Sequence, residues 1–288
     1  MLNWVEHDSF VDDVSHVTSI EYDNCVDLVW LGHANGRISS YGFSSELQYF
    51  HDENEDGMFL PVPPTMERFS SFPAVHDTIS QILPNHSSLV SVSFSKIRML
   101  THGGAGLGTW SLNHCPKPTM MGTSMNLLSS SDAAFTCADL IRDPTISRTS
   151  SSYMATSVIA GTSANGVYLF DLSQAIDSPV MVYNVAQPSV RIQSNGHVIA
   201  VAGQDGKTTI ASDTATMGNC VHYFIIILGC LRLLDGKFRS NEVTKVVEAH
   251  SGPIRDVCMQ GDGRTLITCG MSKRAINPYD FKSPFQVR

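Results

Sequence analysis

The feature of this sequence that most constrains its fold is a repeated unit: an apolar alternation, a polar turn bearing glycine, and a second apolar alternation. It occurs as LVWLGHANGRISSYGF at 28–43, as SVIAGTSANGVYLFDL at 157–172 and, more loosely, as HVIAVAGQDGKTTIA at 197–211. Period-two alternation on both sides of a short turn is the pattern of a β-hairpin. One unit would be a hairpin and nothing more, but three in one chain predict an architecture made by repeating it.

The spacing narrows the choice. Gly161 and Gly203, read as equivalent points of two units, lie 42 residues apart, within the roughly 40–45-residue period of a four-stranded propeller blade. Gly32 precedes Gly161 by 129 residues, about three such periods. Between them, residues 77–112 read as strand, turn, strand, strand, with alternation in SLVSVSF and KIRML. The last unit, AHSGPIRDVCMQGDGRTLITCG (249–270), follows the pattern of a WD repeat. There Asp262-Gly263 suits the positive φ angles of a type I′ turn, and His250, Ser251 and Asp256 read as intra-blade hydrogen-bonding residues. The closing Trp-Asp pair is absent, and MSKRAINPYD stands in its place. No apolar 3.6-residue pattern runs beyond a turn or two. The predicted class is all-β, a WD-repeat β-propeller of about four to five blades over 1–288, with loop-rich insertions at 51–67 and 113–155.

Composition and motifs remove other functions. Charged residues are 16% of the chain and the net charge is −8, which argues against broad adhesion to nucleic acid or an anionic membrane. The seven cysteines show no C-x-x-C spacing and the eleven histidines no H-E-x-x-H, so no zinc site is read, and the thiols fit a reducing compartment. The amino terminus MLNWVEHDSF is no secretory signal, which gives a cytosolic or nuclear expectation. THGGAGLGTW (101–110) lacks the third glycine and the following helix that a phosphate loop needs, and reads as a turn feeding a strand. HDENED (51–56) lacks the ligand order of a calcium loop. Neither G-x-S-x-G nor D-x-E occurs, so neither a nucleophile elbow nor the paired carboxylates of many 3′ exonucleases is present.

VHYFIIILGC (221–230) stands apart, too short to span a bilayer, which takes about 20 residues. Three readings remain open for it: a buried strand, an interfacial segment, or a retained intron covering 218–229. Gly218-Asn219 can be encoded with a splice donor and Leu228-Gly229 with an acceptor, and removing the intervening eleven codons keeps the frame.

Several stretches resemble one family in collinear order: VTSIEYDNCVDLVWLGHANGRISSYGFSSELQYF (17–50), RFSSFPA (68–74), THGGAGLGTW, and AHSGPIRDVCMQGDGRTLITCGMSKR (249–274). The family is that of the catalytic subunits of poly(A)-nuclease (Pan) deadenylation complexes. The resemblance implies an N-terminal propeller of seven blades. It also implies a linker that binds a pseudokinase-like regulatory subunit, an inactive ubiquitin-hydrolase-like domain, and a C-terminal exonuclease using two divalent metals, magnesium by expectation. The chain stops at SPFQVR, before the outer strand of about the fifth blade, so the nuclease domain, its metal and every catalytic residue of the family fall outside this sequence.

On this reading the chain is a scaffold for poly(A)-tail shortening and mRNA decay, expected in cytoplasm, P-bodies and nucleus. It would meet the pseudokinase-like subunit directly and poly(A)-binding protein on mRNA indirectly, with no membrane contact and no cofactor of its own. Rim-loop residues His33, Asn35, Arg37, Lys273 and Arg274 are its candidate partner contacts; Gly32, Gly161 and Gly203 are structural. The alternative is a general WD-repeat adaptor, such as a ubiquitin-ligase substrate receptor or a trafficking scaffold. An unclosed propeller would also expose blade edges that invite non-native pairing.

Overall fold

A computed structural model of the protein describes residues 15–43, 66–116, 133–142, 155–164, 166–174, 177–185, 188–194, 198–203, 230–235, 245–248, 254–259, 265–270 and 276–280. They form five consecutive antiparallel sheets, the blades of an incomplete β-propeller. Blade 1 holds β1 (Val17–Asp23), β2 (Leu28–His33), β3 (Arg37–Phe43) and β4 (Met66–Pro73). Blade 2 holds β5 (Ile79–Asn85), β6 (Ser88–Ser93), β7 (Lys96–Thr101) and β8 (Gly106–Ser111). Blade 3 holds β9 (Phe135–Ile141), β10 (Ser157–Thr162), β11 (Gly166–Asp171) and β12 (Met181–Asn184). Blade 4 holds β13 (Ser189–Ser194), β14 (Val198–Gly203), β15 (Cys230–Asp235) and β16 (Lys245–Glu248). Blade 5 has β17 (Ile254–Met259), β18 (Thr265–Gly270) and β19 (Ile276–Asp280) among the described residues.

Each sheet is a meander, and the first strand of each packs against the first strand of the next. The core therefore lies between blades. Trp30 and Ile38 of blade 1 meet Ile79, Ile82, Leu89 and Leu100 of blade 2. Val92 and Trp110 of blade 2 meet Phe135, Val158 and Phe170 of blade 3. Ile159 and Leu169 of blade 3 meet Ile192, Ile199 and Val201 of blade 4. Sheets covered on both faces explain why β6, SLVSVS, is buried at every position although half of it is serine.

One register device recurs in all five blades. The first strand carries an irregularity at its second residue (Thr18, Ser80, Thr136, Val190 and Arg255), where the pairing with the second strand slips by one. Such a bulge bends the strand and re-aims the extra side chain. In blades 1 and 3 that side chain is a threonine whose hydroxyl reaches across the seam. Thr18 Oγ1 is placed to donate to Gly32 O (3.1 Å) or to Ile79 O of the next blade (2.5 Å). Thr136 Oγ1 repeats this with Gly161 O (3.2 Å) and Ser189 O (2.6 Å).

The bulge also corrects a sequence reading. Opposite the third residue of each first strand stand Gly32, Val92, Gly161, Ala202 and Cys269. Gly203 sits one position further, opposite Ser189, so the true counterpart of Gly161 is Ala202. A slip of one turns a side chain to the other face of a sheet. Gly32 and Gly161 share a purpose: a Cβ there would lie 2.7 Å from Ile79 Cγ2 and 2.5 Å from Ser189 Cβ respectively, so both allow the next blade to approach.

Three further differences concern boundaries. β9 lies inside the 113–155 stretch read as loop-rich, and β4 begins at Met66, inside the 51–67 stretch. The third hairpin does not close locally, because β14 pairs with β15, from Gly203↔Cys230 to Val198↔Asp235. Of VHYFIIILGC only Cys230 is described, at the start of β15, and 218–229 lies outside the described residues. The stretch 77–112 forms four strands where three were read. No helix among the described residues is long and apolar enough to cross a membrane.

Candidate interaction surface

The hairpin turn of blade 1 was the first candidate contact. Gly36 takes φ +78 there, and its carbonyl accepts the N–H groups of Ala74 (2.9 Å) and Val75 (3.1 Å), tying the turn to the β4–β5 connection. Asn35 is exposed, and its Oδ1 accepts the Arg37 N–H at 3.2 Å. Arg37 is half-buried and donates from Nη2 to Ser71 Oγ at 3.0 Å. His33 corrects the expectation. It is 5% exposed, with Nε2 3.1 Å from Ser39 Oγ and Nδ1 3.3 Å from Ser15 O, so its ring holds the hairpin rather than facing a partner. Lys273, Arg274, His250, Ser251, Asp262 and Gly263 lie outside the described residues.

Three sequence stretches quoted above converge at the opposite end of the seam between blades 1 and 2. Trp30 of VWLGH is 1% exposed, 6.5 Å edge-on from Phe72 of RFSSFPA and 5.5 Å from the ring of His102 of THGGAG. Gly104 of the same turn has φ +87, and a Cβ on it would meet the Phe72 ring at 2.5 Å. Asp23, 2% exposed, accepts the Cys25 N–H at 2.9 Å and lies 3.6 Å from His102 Nε2. Of the glycines in this motif, Gly104 allows the close approach of blade 1, while Gly106 and Gly108 face Arg98 and Trp110 of their own blade.

Charges gather along the first strands, where sequence reading singled out Asp256 alone. Asp139 is the one charged residue of β9, and its carboxylate accepts the N–H of Ser194 from blade 4 (2.7 Å) and of Leu140 (2.8 Å). Arg191 Nε lies 3.1 Å from Asp256 Oδ1 across the seam between blades 4 and 5. So Asp256, read as an intra-blade residue, joins two blades and also accepts the Val257 N–H at 2.8 Å. Burial pushes the Glu21 carboxyl up, against the pull of Arg191 and Arg142. The signal for Asp139 was a lone carboxylate within FTCADLI, masked by its position after a serine-rich run.

Burial also pushes the Asp139 carboxyl up to about 6, against the Ser194 N–H, Arg142, the Leu140 N–H and Arg191. The native state thus holds this proton more tightly than the unfolded chain, whose reference value is 3.8. The resulting stabilisation is fully present below pH 3.8 and is lost as pH rises through about 6. Asp139→Asn, which keeps an acceptor without the charge, is expected to match the wild type near pH 4 and exceed it at pH 8. Urea midpoints at the two pH values check this, and a pH-independent difference contradicts it.

Cys25, Cys115, Cys137, Cys258 and Cys269 are free thiols, and burial pushes both Cys115 and Cys137 up to about 12. No group of three or more His, Cys, Asp or Glu able to hold a metal occurs among the described residues.

What remains is an apolar sheet face. The first and fourth residues of the first strand are buried in blades 2 to 5: Ile79 and Ile82, Phe135 and Ala138, Ser189 and Ile192, Ile254 and Val257. Their counterparts on blade 1 are Val17, 46% exposed, and Ile20, 66% exposed, with Tyr22 beside them at 56%.

No family model matches the chain, and no curated protein matches it. Among solved structures it is similar to the WD40 domain of Pan2 from Neurospora crassa, with a TM-score of 0.57 and 12% identity, over 96% of this chain and 65% of that one. The chain thus spans about two thirds of that structure's length. The likeness and the sheets agree on the fold: this chain is a WD40-type β-propeller of which five blades are described.

Proposed function

We propose that the chain is the propeller scaffold of a poly(A)-specific 3′-exoribonuclease subunit, acting in poly(A)-tail shortening and cytoplasmic mRNA decay. The observation that supports this reading most is the convergence of VWLGH, RFSSFPA and THGGAG on one seam through Trp30, Phe72, His102 and Gly104. Sequence stretches far apart in the chain, singled out for their resemblance to one family, serve a single packing unit. A propeller contributes a rigid body with loops free to bind, while chemistry is carried elsewhere. The pseudokinase-like regulatory subunit is the proposed direct partner, and poly(A)-binding protein on mRNA the indirect one. The nuclease metal belongs to a domain outside this sequence, and cytoplasm with P-bodies is the proposed location.

Affinity purification of the tagged chain from cells, followed by mass spectrometry, tests this. Recovery of a pseudokinase-like subunit together with poly(A)-binding protein is the expected result. Recovery of a cullin adaptor or of coat proteins in their place assigns the chain to the general adaptors and overturns the proposal.

A further inference from the structure

Arg191 on β13 addresses two seams at once. On one side its Nε lies 3.1 Å from Asp256 Oδ1 of blade 5. On the other its charge acts on Asp139 of blade 3, whose carboxylate is held against the same strand by the Ser194 N–H at 2.7 Å. β13 packs against both β9 and β17, so a change on one side reaches the other through a single side chain.

The strands around Asp139 bring few other charges. β5 and β10 contribute none. Arg142, just past β9, also acts on Asp139, but its Nη2 donates to Pro84 O of blade 2 at 2.7 Å, which ties it to that side. Cys137 on the same strand keeps its proton, since burial pushes its thiol up to about 12. Glu21 of blade 1 is raised by burial as well, against the pull of the same two guanidiniums, Arg191 and Arg142. Arg255 neighbours Asp256 on β17. A guanidinium that serves two carboxylates is an object of competition. An ionised Asp139 draws it toward blade 3, and a protonated Asp139 releases it to Asp256.

We propose that Arg191 is a counterion shared by Asp139 and Asp256, so that proton uptake at Asp139 tightens the contact between blades 4 and 5 and proton loss loosens it. Asp139 holds its proton below about 6, so the contact is tighter in mild acid than at neutral pH. Linkage makes the effect reciprocal: removing the Asp256 charge must ease the loss of the Asp139 proton. This inference is independent of the deadenylase reading, which concerns partners.

Carboxyl NMR of the full chain, labelled at aspartate and titrated with acid, is the test. The Asp139 signal is assigned by its loss in Asp139→Asn. Asp256→Asn is expected to lower the Asp139 midpoint by about 0.5 in pH, because Arg191 is freed for Asp139. Arg191→Gln is expected to raise it, and adding Asp256→Asn to Arg191→Gln should then change nothing more. A merely structural role for Asp256 would not move the titration of a residue two blades away. The Asp256 side chain is 59% exposed, so its substitution leaves the fold intact, and that variant alone decides the matter if Arg191→Gln does not fold. An Asp139 midpoint unchanged in Asp256→Asn overturns the proposal. So does an equal shift when Arg191 is already glutamine, which would make the coupling a direct one between the two carboxylates.

Discussion

Phe170→Ala is expected to remove about 3–5 kcal/mol of stability, the usual cost of deleting a buried phenyl ring, and to lower the thermal midpoint by roughly 10 °C. Phe170 has no exposed surface, and its ring lies 6.1 Å from Trp110, 6.2 Å from Phe135 and 6.4 Å from Tyr168, centroid to centroid. Two of these partners are on blade 3 and one is on blade 2, so the ring fills the seam rather than a single sheet. The void left by alanine collapses poorly, because each blade is held by its own hydrogen-bond ladder and cannot sag into the gap. Phe94→Ala, at a ring 52% exposed, is the matched control and should stay within about 0.5 kcal/mol of the wild type. Thermal melts of both variants decide the matter. Equal, small losses would mean that the seams repack freely and that the blades are not rigidly stacked.

How much of this was legible depends on whether a feature is local. The hairpins were visible because their signals are contiguous: alternation, then a turn whose Gly36 adopts φ +78, then alternation. β9 was missed because its strand pattern is short and lies between polar runs. The one-residue error at Gly203 has a different cause, since the bulge at Val190 is a property of pairing with β14 and leaves no mark on composition. The partner of β14 was misplaced for the opposite reason. KTTIA follows nearby and looks like a return strand, yet the described partner is CLRLLD. Seam chemistry was illegible altogether. Asp139 bonds Ser194 and Thr136 bonds Ser189, pairs separated by more than 50 residues that no local pattern joins. His33 was misread because a histidine beside a turn is as suited to bracing the turn as to meeting a partner, and only its burial decides.

The same non-local logic makes Gly161→Val a sharp probe of how the blades fit. The position is not inherently reserved for glycine: its counterparts one blade before and one blade after are Val92 and Ala202, both without exposed surface. What reserves it is the facing residue. A Cβ on Gly161 would come within 2.5 Å of Ser189 Cβ, 2.9 Å of Ser189 Oγ and 3.0 Å of Cys137 Sγ. Ser189 Cβ is carried by the backbone of β13, so the clash cannot be relieved by a side-chain rotation; the whole first strand of blade 4 must move. That movement would strain the Thr136 Oγ1 to Ser189 O hydrogen bond, which now spans 2.6 Å. Overpacking of this kind costs about 1–3 kcal/mol, and the fixed obstacle places Gly161→Val at the upper end. Ser189→Gly removes the obstructing Cβ, so the double variant Gly161→Val/Ser189→Gly is expected to recover at least half of the loss. The coupling between the two sites, read from urea midpoints of the four proteins, should then be of opposite sign to the single losses. If the double variant is no more stable than Gly161→Val alone, the blade 3–blade 4 spacing is not set by this contact, and Cys137 becomes the obstacle to test next.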